Sequence, residues 1–153
     1  MTPVELWHAE HVQFQRLLAE LQAQIDLFHA GARPDYERML EIIATLRESG
    51  DRSHHPREDV AFDRLARRCP ELALPLARLR QEHSTIAQAG ERLHGLLTAA
   101  LDGSVLPRAE IEVAAAMYLV YFGNHIAHEE EDILGRAAQA LSADDWEAVR
   151  RAV

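Results

Sequence analysis

WHAEHVQFQRLLAELQAQIDLF, residues 7–28, places Trp7, His11, Phe14, Leu18, Leu21, Ile25 and Phe28 at steps of 4, 3, 4, 3, 4 and 3. That alternation follows the turn of an α-helix and marks one packed along a single seam. Gly31 and Pro34 then supply a stop and a restart. Three further segments repeat the pattern. From about Pro34 to Arg68 the stripe is Ile43, Leu46, Gly50, His54, Glu58, Phe62 and Leu65. Pro56 lacks an N–H and crowds the carbonyl of Arg52, so this helix is expected to bend there while its stripe keeps phase. From about Leu74 to Leu101 the stripe is Leu76, Leu79, His83, Ile86, Gly90, Leu93, Leu97 and Ala100. Gly103 ends that helix, and Pro107 begins the last long one, which runs to about Ala138. Its face carries Ile111, Ala114, Tyr118, Phe122, His125, Glu129 and Ile133, and Ser142 caps a short final helix with Trp146 and Val149. Long helices joined by short turns predict an all-α, up-down-up-down four-helix bundle, formed as a single domain over residues 1–153.

The chain is long enough to bury a core without disulfides, and its 7 Gly and 6 Pro leave no linker-like stretch. With 25 acids against 16 bases the formal charge is -9, which argues against nucleic acid or an anionic membrane as partner. The first residues, Met1 to His11, lack the apolar region of a signal peptide. The longest apolar run, Val113 to Phe122, is about half of the ~20 residues that span a bilayer. Cys69 stands alone, which suits a reducing cytoplasm and excludes a sulfur-ligated cluster within the chain.

Histidine is the outlier, with nine in this length, and one interrupts each stripe: His11, His54, His83 and His125. Two of them have a glutamate four residues on, in His54-x-x-x-Glu58 and His125-x-x-x-Glu129, which puts each pair on one helix face. Measured along the bundle at ~1.5 Å per residue, His11 and His83 lie roughly 12–14 Å from one end. On the antiparallel helices, Glu58 and Glu129 lie roughly 14 Å, and His54 and His125 roughly 20 Å, from the same end. Six polar groups thus converge on one layer. A lone histidine on an apolar stripe is most often a hydrogen-bonded core residue. A buried, unpaired carboxylate is costly, and two of them among four imidazoles call for cations. Nitrogen and carboxylate donors without thiolate suit iron, manganese or zinc, and six are too many for one tetrahedral zinc. If Glu58 and Glu129 both bridge, each of two metals has two histidines, two carboxylate oxygens and room for a bridging solvent oxygen and a small ligand.

Other histidines are assigned lesser places. His55 lies about 100° around the helix from His54 and is expected to face solvent or the outer shell of the site. His8 and His128 are placed at the rim, His94 too far along its helix, and His29 at a helix end, where it answers the helix dipole. Tyr118, Tyr121 and Phe122 are read as pocket walls.

The ordered set Glu10-His11, His54-His55-Pro56-Arg57-Glu58-Asp59, Glu82-His83 and His125-Ile126-Ala127-His128-Glu129-Glu130 resembles the hemerythrin-like (HHE cation-binding) family along essentially the whole chain. The resemblance implies a four-helix bundle around two non-haem iron ions joined by an oxo or hydroxo bridge. His11 and His54 would then serve one iron, His83 and His125 the other, with Glu58 and Glu129 bridging. It departs from the oxygen carriers, which place a fifth histidine one turn from the helix-three ligand. Here Leu79 and Ala87 occupy those positions, leaving His8 or His128 to supply it. The expected function is cytoplasmic binding of, or response to, a small ligand such as O2, NO or peroxide, or iron handling. A di-iron oxidase or peroxidase is the second reading, weakened because histidines outnumber carboxylates. A phosphotransfer bundle using His55 beside Arg57 is the third.

Overall fold

The four stripes fold as four helical rods in the computed structural model, which describes residues 1–153 and contains no strand. The first rod is α1 (Pro3–His29). Thr2 accepts from the Glu5 amide while the Glu5 side chain returns to the Thr2 amide, and Pro3 fits the first turn, where no donor is needed. Beyond the helix Gly31 takes φ 71°, the left-handed conformation that glycine adopts without a Cβ penalty. The second rod joins α2 (Tyr36–Leu46), a π-helical stretch (Arg47–His54) and α3 (His55–Arg68). The third is α4 (Ala73–Leu101), and the fourth joins α5 (Arg108–His128), a π-helical stretch (Glu129–Ile133) and α6 (Leu134–Ala140). α1 and α4 each pack against α2 and α5, so neighbouring rods are antiparallel around a square. This is the expected helical bundle.

The predicted bend at Pro56 takes a specific form. The His55 amide donates to the Gly50 carbonyl, five residues back, so the widened turn lies just ahead of the proline. Pro56 itself occupies the first turn of α3. The widening also explains the stripe. Leu46, Gly50, His54, Glu58 and Phe62 follow one another at steps of four, and all are buried. In an unbroken α-helix such a series drifts about 160° around the axis. The underwound π turn cancels much of that drift. His125, Glu129, Ile133 and Ala137 repeat the spacing across the second π stretch and are also buried.

The interior is divided. Toward one end, Phe14, Leu21, Ile43, Leu46, Leu93 and Phe122 belong to a large apolar core. Toward the other, Trp7, Phe62, Leu65, Leu76 and Ile133 form a smaller one. The short last helix, α7 (Ala143–Arg150), is capped by Ser142 as expected and closes the smaller core by setting Trp146 edge-on to Trp7. Asp145 pins it to α3 by accepting from Arg64 and Arg68. No helix is long and apolar enough to cross a membrane.

Candidate metal centre

Between the two cores lies a polar layer: His11 from α1, His54 and Glu58 from the second rod, His83 from α4, and His125 and Glu129 from the fourth rod. Glu58, Glu129, His11, His54 and His125 are each 1% exposed and His83 is 6%. All six residues anticipated from the sequence meet.

Each carboxylate faces both histidine pairs. Glu58 Oε1 is 2.7 Å from His54 Nε2 and 3.5 Å from His11 Nε2, while its Oε2 is 3.2 Å from His83 Nε2. Glu129 Oε1 is 2.9 Å from His125 Nε2 and 3.8 Å from His83 Nε2, and its Oε2 is 3.3 Å from His11 Nε2. The donors fall into two overlapping groups, His11, His54, Glu58 and Glu129, and His55, Glu58, His83 and His125.

The outer edges of the imidazoles are held by a closed ring of carboxylates. Glu10 of α1 accepts from Nδ1 of His54 at 2.5 Å, and Asp59 of α3 from Nδ1 of His83 at 2.8 Å. Glu82 of α4 accepts from Nδ1 of His125 at 2.9 Å, and Glu130 of the fourth rod from Nδ1 of His11 at 2.6 Å. Every rod supplies a histidine and orients the next rod's. A carboxylate only accepts, so each Nδ1 carries a proton and each Nε2 turns a lone pair inward. Two such lone pairs, on His11 and His54, stand 2.9 Å apart, an arrangement that needs a positive charge between them.

A family model described as the hemerythrin HHE cation binding domain matches residues 2–137. The chain belongs to this family. Searches among curated proteins and among solved structures found no match. α7 lies outside the matched HHE segment and packs onto it through Trp146 and Asp145.

The residues of this HHE domain fit metal ions. Both oxygens of Glu58 and of Glu129, and Nε2 of His83 and His125, are buried without a hydrogen-bond partner although they lie within a few ångströms of one another. Leaving so many polar atoms unsatisfied costs several kcal/mol, and divalent cations shared by the carboxylates would satisfy them together. Without metal, protons take that place. Burial by itself would push His11 down, but Glu129 and Glu58 lift it to about 10. Burial likewise opposes, and the carboxylates Asp59, Glu129 and Glu58 overcome it, to lift His83 to about 11; Glu129 and Glu82 lift His125 to about 9. Burial and Glu58 act to raise Glu129, yet His11, His125 and His83 hold it at about 2. Glu58 is held well below the usual range by His54, His11 and His83, against its burial.

His55 is not where the sequence reading put it. It is 3% exposed, stacks on His83 with ring centres 4.2 Å apart, and belongs to the second donor group. The angular reason is simple. Residues one and four places beyond His54 lie at about +100° and +40°, so His54 and His55 fan to either side with Glu58 between them. Burial also removes the exposed histidine on which a phosphotransfer reading depends, and it pushes the His55 imidazole toward the neutral form. Neither His8 nor His128 supplies a fifth inward nitrogen. His8 is exposed and holds Glu130, and His128 is exposed. His29 is exposed beside Glu112. Of the expected walls, Phe122 sits against His55, Tyr118 packs behind Phe122, and Tyr121 is partly exposed. Phe14 and Trp7 flank His54, and Phe62 flanks His83, none of which was anticipated as a wall. The carboxylate ring was also missed. Its signal was the acidic neighbour beside a site residue on each rod, in Glu10-His11, Glu58-Asp59, Glu82-His83 and Glu129-Glu130.

Proposed function

We propose that this protein holds two non-haem iron ions and binds, or responds to, a small ligand such as O2, NO or peroxide, or handles iron itself. His11, His54, Glu58 and Glu129 hold one ion, and His83, His125, Glu58 and Glu129 hold the other. The observation that carries the reading is that Glu58 and Glu129 each turn one oxygen toward each histidine pair. Nitrogen and oxygen donors without a thiolate suit iron, with manganese or zinc as substitutes. Cys69, at the end of α3, packs with the smaller core.

Iron bound here supplies one-electron chemistry and a Lewis-acidic position for the ligand. The chain supplies the rest. Glu10, Asp59, Glu82 and Glu130 keep the Nδ1 protons and fix the rings. Trp7, Phe14, Phe62 and Phe122 exclude bulk water and admit only a small ligand. Anaerobic loading with ferrous iron followed by metal analysis and absorption spectroscopy tests the proposal. About two irons per chain and near-ultraviolet bands of bridged ferric iron are expected after oxidation. A folded protein that takes up no iron would sink it.

A further inference from the structure

The two halves of the site are built on one pattern. Glu10-His11 in α1 corresponds to Glu82-His83 in α4, and His54-x-x-x-Glu58-Asp59 corresponds to His125-x-x-x-Glu129-Glu130. The carboxylate ring obeys the same correspondence, since Glu10 serves His54 as Glu82 serves His125. The halves differ next to the second-rod and fourth-rod histidines, where His55 is matched by Ile126. Ile126 is fully buried in the larger core and has no donor atom. His55 is equally enclosed, yet neither of its ring nitrogens has a hydrogen-bond partner.

A buried imidazole without partners is costly, and its neighbours indicate what would satisfy it. The ring centres of His55, His83 and His125 are 4.2, 4.7 and 5.5 Å apart pairwise. Imidazoles at right angles around one ion, with metal–nitrogen bonds of ~2.1 Å, have ring centres roughly 4.5 Å apart. The His11–His54 pair, which shares the other position, is spaced at 4.8 Å. His55 is farther from His54, at 5.8 Å, so it belongs with His83 and His125. Its Nδ1 lies 3.4 Å from Asp51 Oδ1, one turn back, a looser version of the Nδ1–carboxylate contact made by the other four. Gly50 leaves the room. A Cβ there would stand 3.7 Å from His55 Cε1 and 3.4 Å from the Phe122 ring.

We infer that His55 is a fifth histidine donor, through Nε2, to the ion held by His83 and His125, which makes the two positions unequal. The His83–His125 ion is then surrounded by three imidazoles and two carboxylate oxygens. The His11–His54 ion keeps two imidazoles and two carboxylate oxygens, and the small ligand is directed to it. The inference rests on the two-ion reading above.

Cobalt(II) loading of the full-length protein, followed by proton NMR, tests both and separates them. Every histidine bound through Nε2 shows one strongly shifted, solvent-exchangeable Nδ1 proton. Five such signals are expected from the wild-type chain, falling to four in His55→Phe, which keeps the ring stack on His83. The same variant is expected to lose roughly 100-fold in affinity for the second cobalt while the first stays bound. Four signals in the wild type, or unchanged affinity for both ions in a folded His55→Phe, overturns the inference and leaves the two-ion reading standing. Absence of any shifted signal removes both. The wild-type count stands whether or not the variant folds.

Discussion

Glu58 shows at single-residue scale why the layer is held together by charge. It is buried among imidazoles, and each of its oxygens points at a different histidine pair. Truncation to alanine removes a donor from both positions at once. Glu58→Ala and His125→Ala are therefore expected to reduce bound iron strongly, and His29→Ala, an exposed residue beside Glu112, to leave it unchanged. Metal analysis of the three purified variants checks this, and equal iron in all would contradict the assignment. The carboxylate ring makes a subtler claim. Glu82→Gln keeps the shape but weakens the hold on the His125 Nδ1 proton, so metal affinity is expected to fall about 10–100-fold with the fold intact. A competitive chelator titration reads that change, and a glutamine variant indistinguishable from wild type would mean that the ring does not orient its histidines.

At the scale of elements, α4 carries two glycines that should respond in opposite directions. Gly90 is buried where α4 meets Tyr118 of α5. A Cβ there would come within 3.1 Å of the Tyr118 ring and 3.4 Å of Arg47 Cγ. Gly95 is exposed on the same helix with nothing within 4 Å. Alanine at either position gains about 1 kcal/mol of helix propensity. At Gly90 the overpacking, about 1–3 kcal/mol, outweighs that gain. Gly90→Ala is expected to lower the thermal midpoint of the metal-free protein and Gly95→Ala to raise it; a rise in both would show that Tyr118 yields freely. The π stretches belong to the same scale. They keep His54 and Glu58, and His125 and Glu129, on the inner face at steps that an unbroken α-helix would carry away.

For the whole molecule, protons and metal ions compete for one layer. In the metal-free protein His11, His83 and His125 are raised from 6.5 to about 10, 11 and 9. Groups with raised values contribute stability that is complete below pH 6.5 and lost as pH climbs through about 9–11. Glu129, lowered from 4.5 to about 2, contributes above pH 4.5 and loses it as pH falls toward 2. The metal-free bundle should therefore be most stable near pH 4.5–6.5. Metal must displace those imidazole protons, so uptake at neutral pH releases protons and affinity rises with pH. The gap in thermal midpoint between loaded and metal-free protein is expected to widen from pH 6 to pH 8. A gap that narrows would contradict the proton–metal competition.

Much of this was legible in one dimension because a helix converts spacing into direction. Steps of three and four placed Trp7, His11 and Phe14 on one face, and antiparallel rods of known rise brought His11, His54, Glu58, His83, His125 and Glu129 to one height. His55 escaped because neighbours 100° apart can both face inward when partners stand on two sides, and a single helix does not reveal how many partners it has. The repeated steps of four across Gly50 and Glu129 were the written sign of the wide turns. Which carboxylate holds which ring was decided only by tertiary structure, since Glu10 reaches His54 and Glu130 reaches His11 across the order in which the rods close their square. Periodicity along one chain sets direction and height, whereas the angular neighbours that turn donors into a site arise from packing four such chains together.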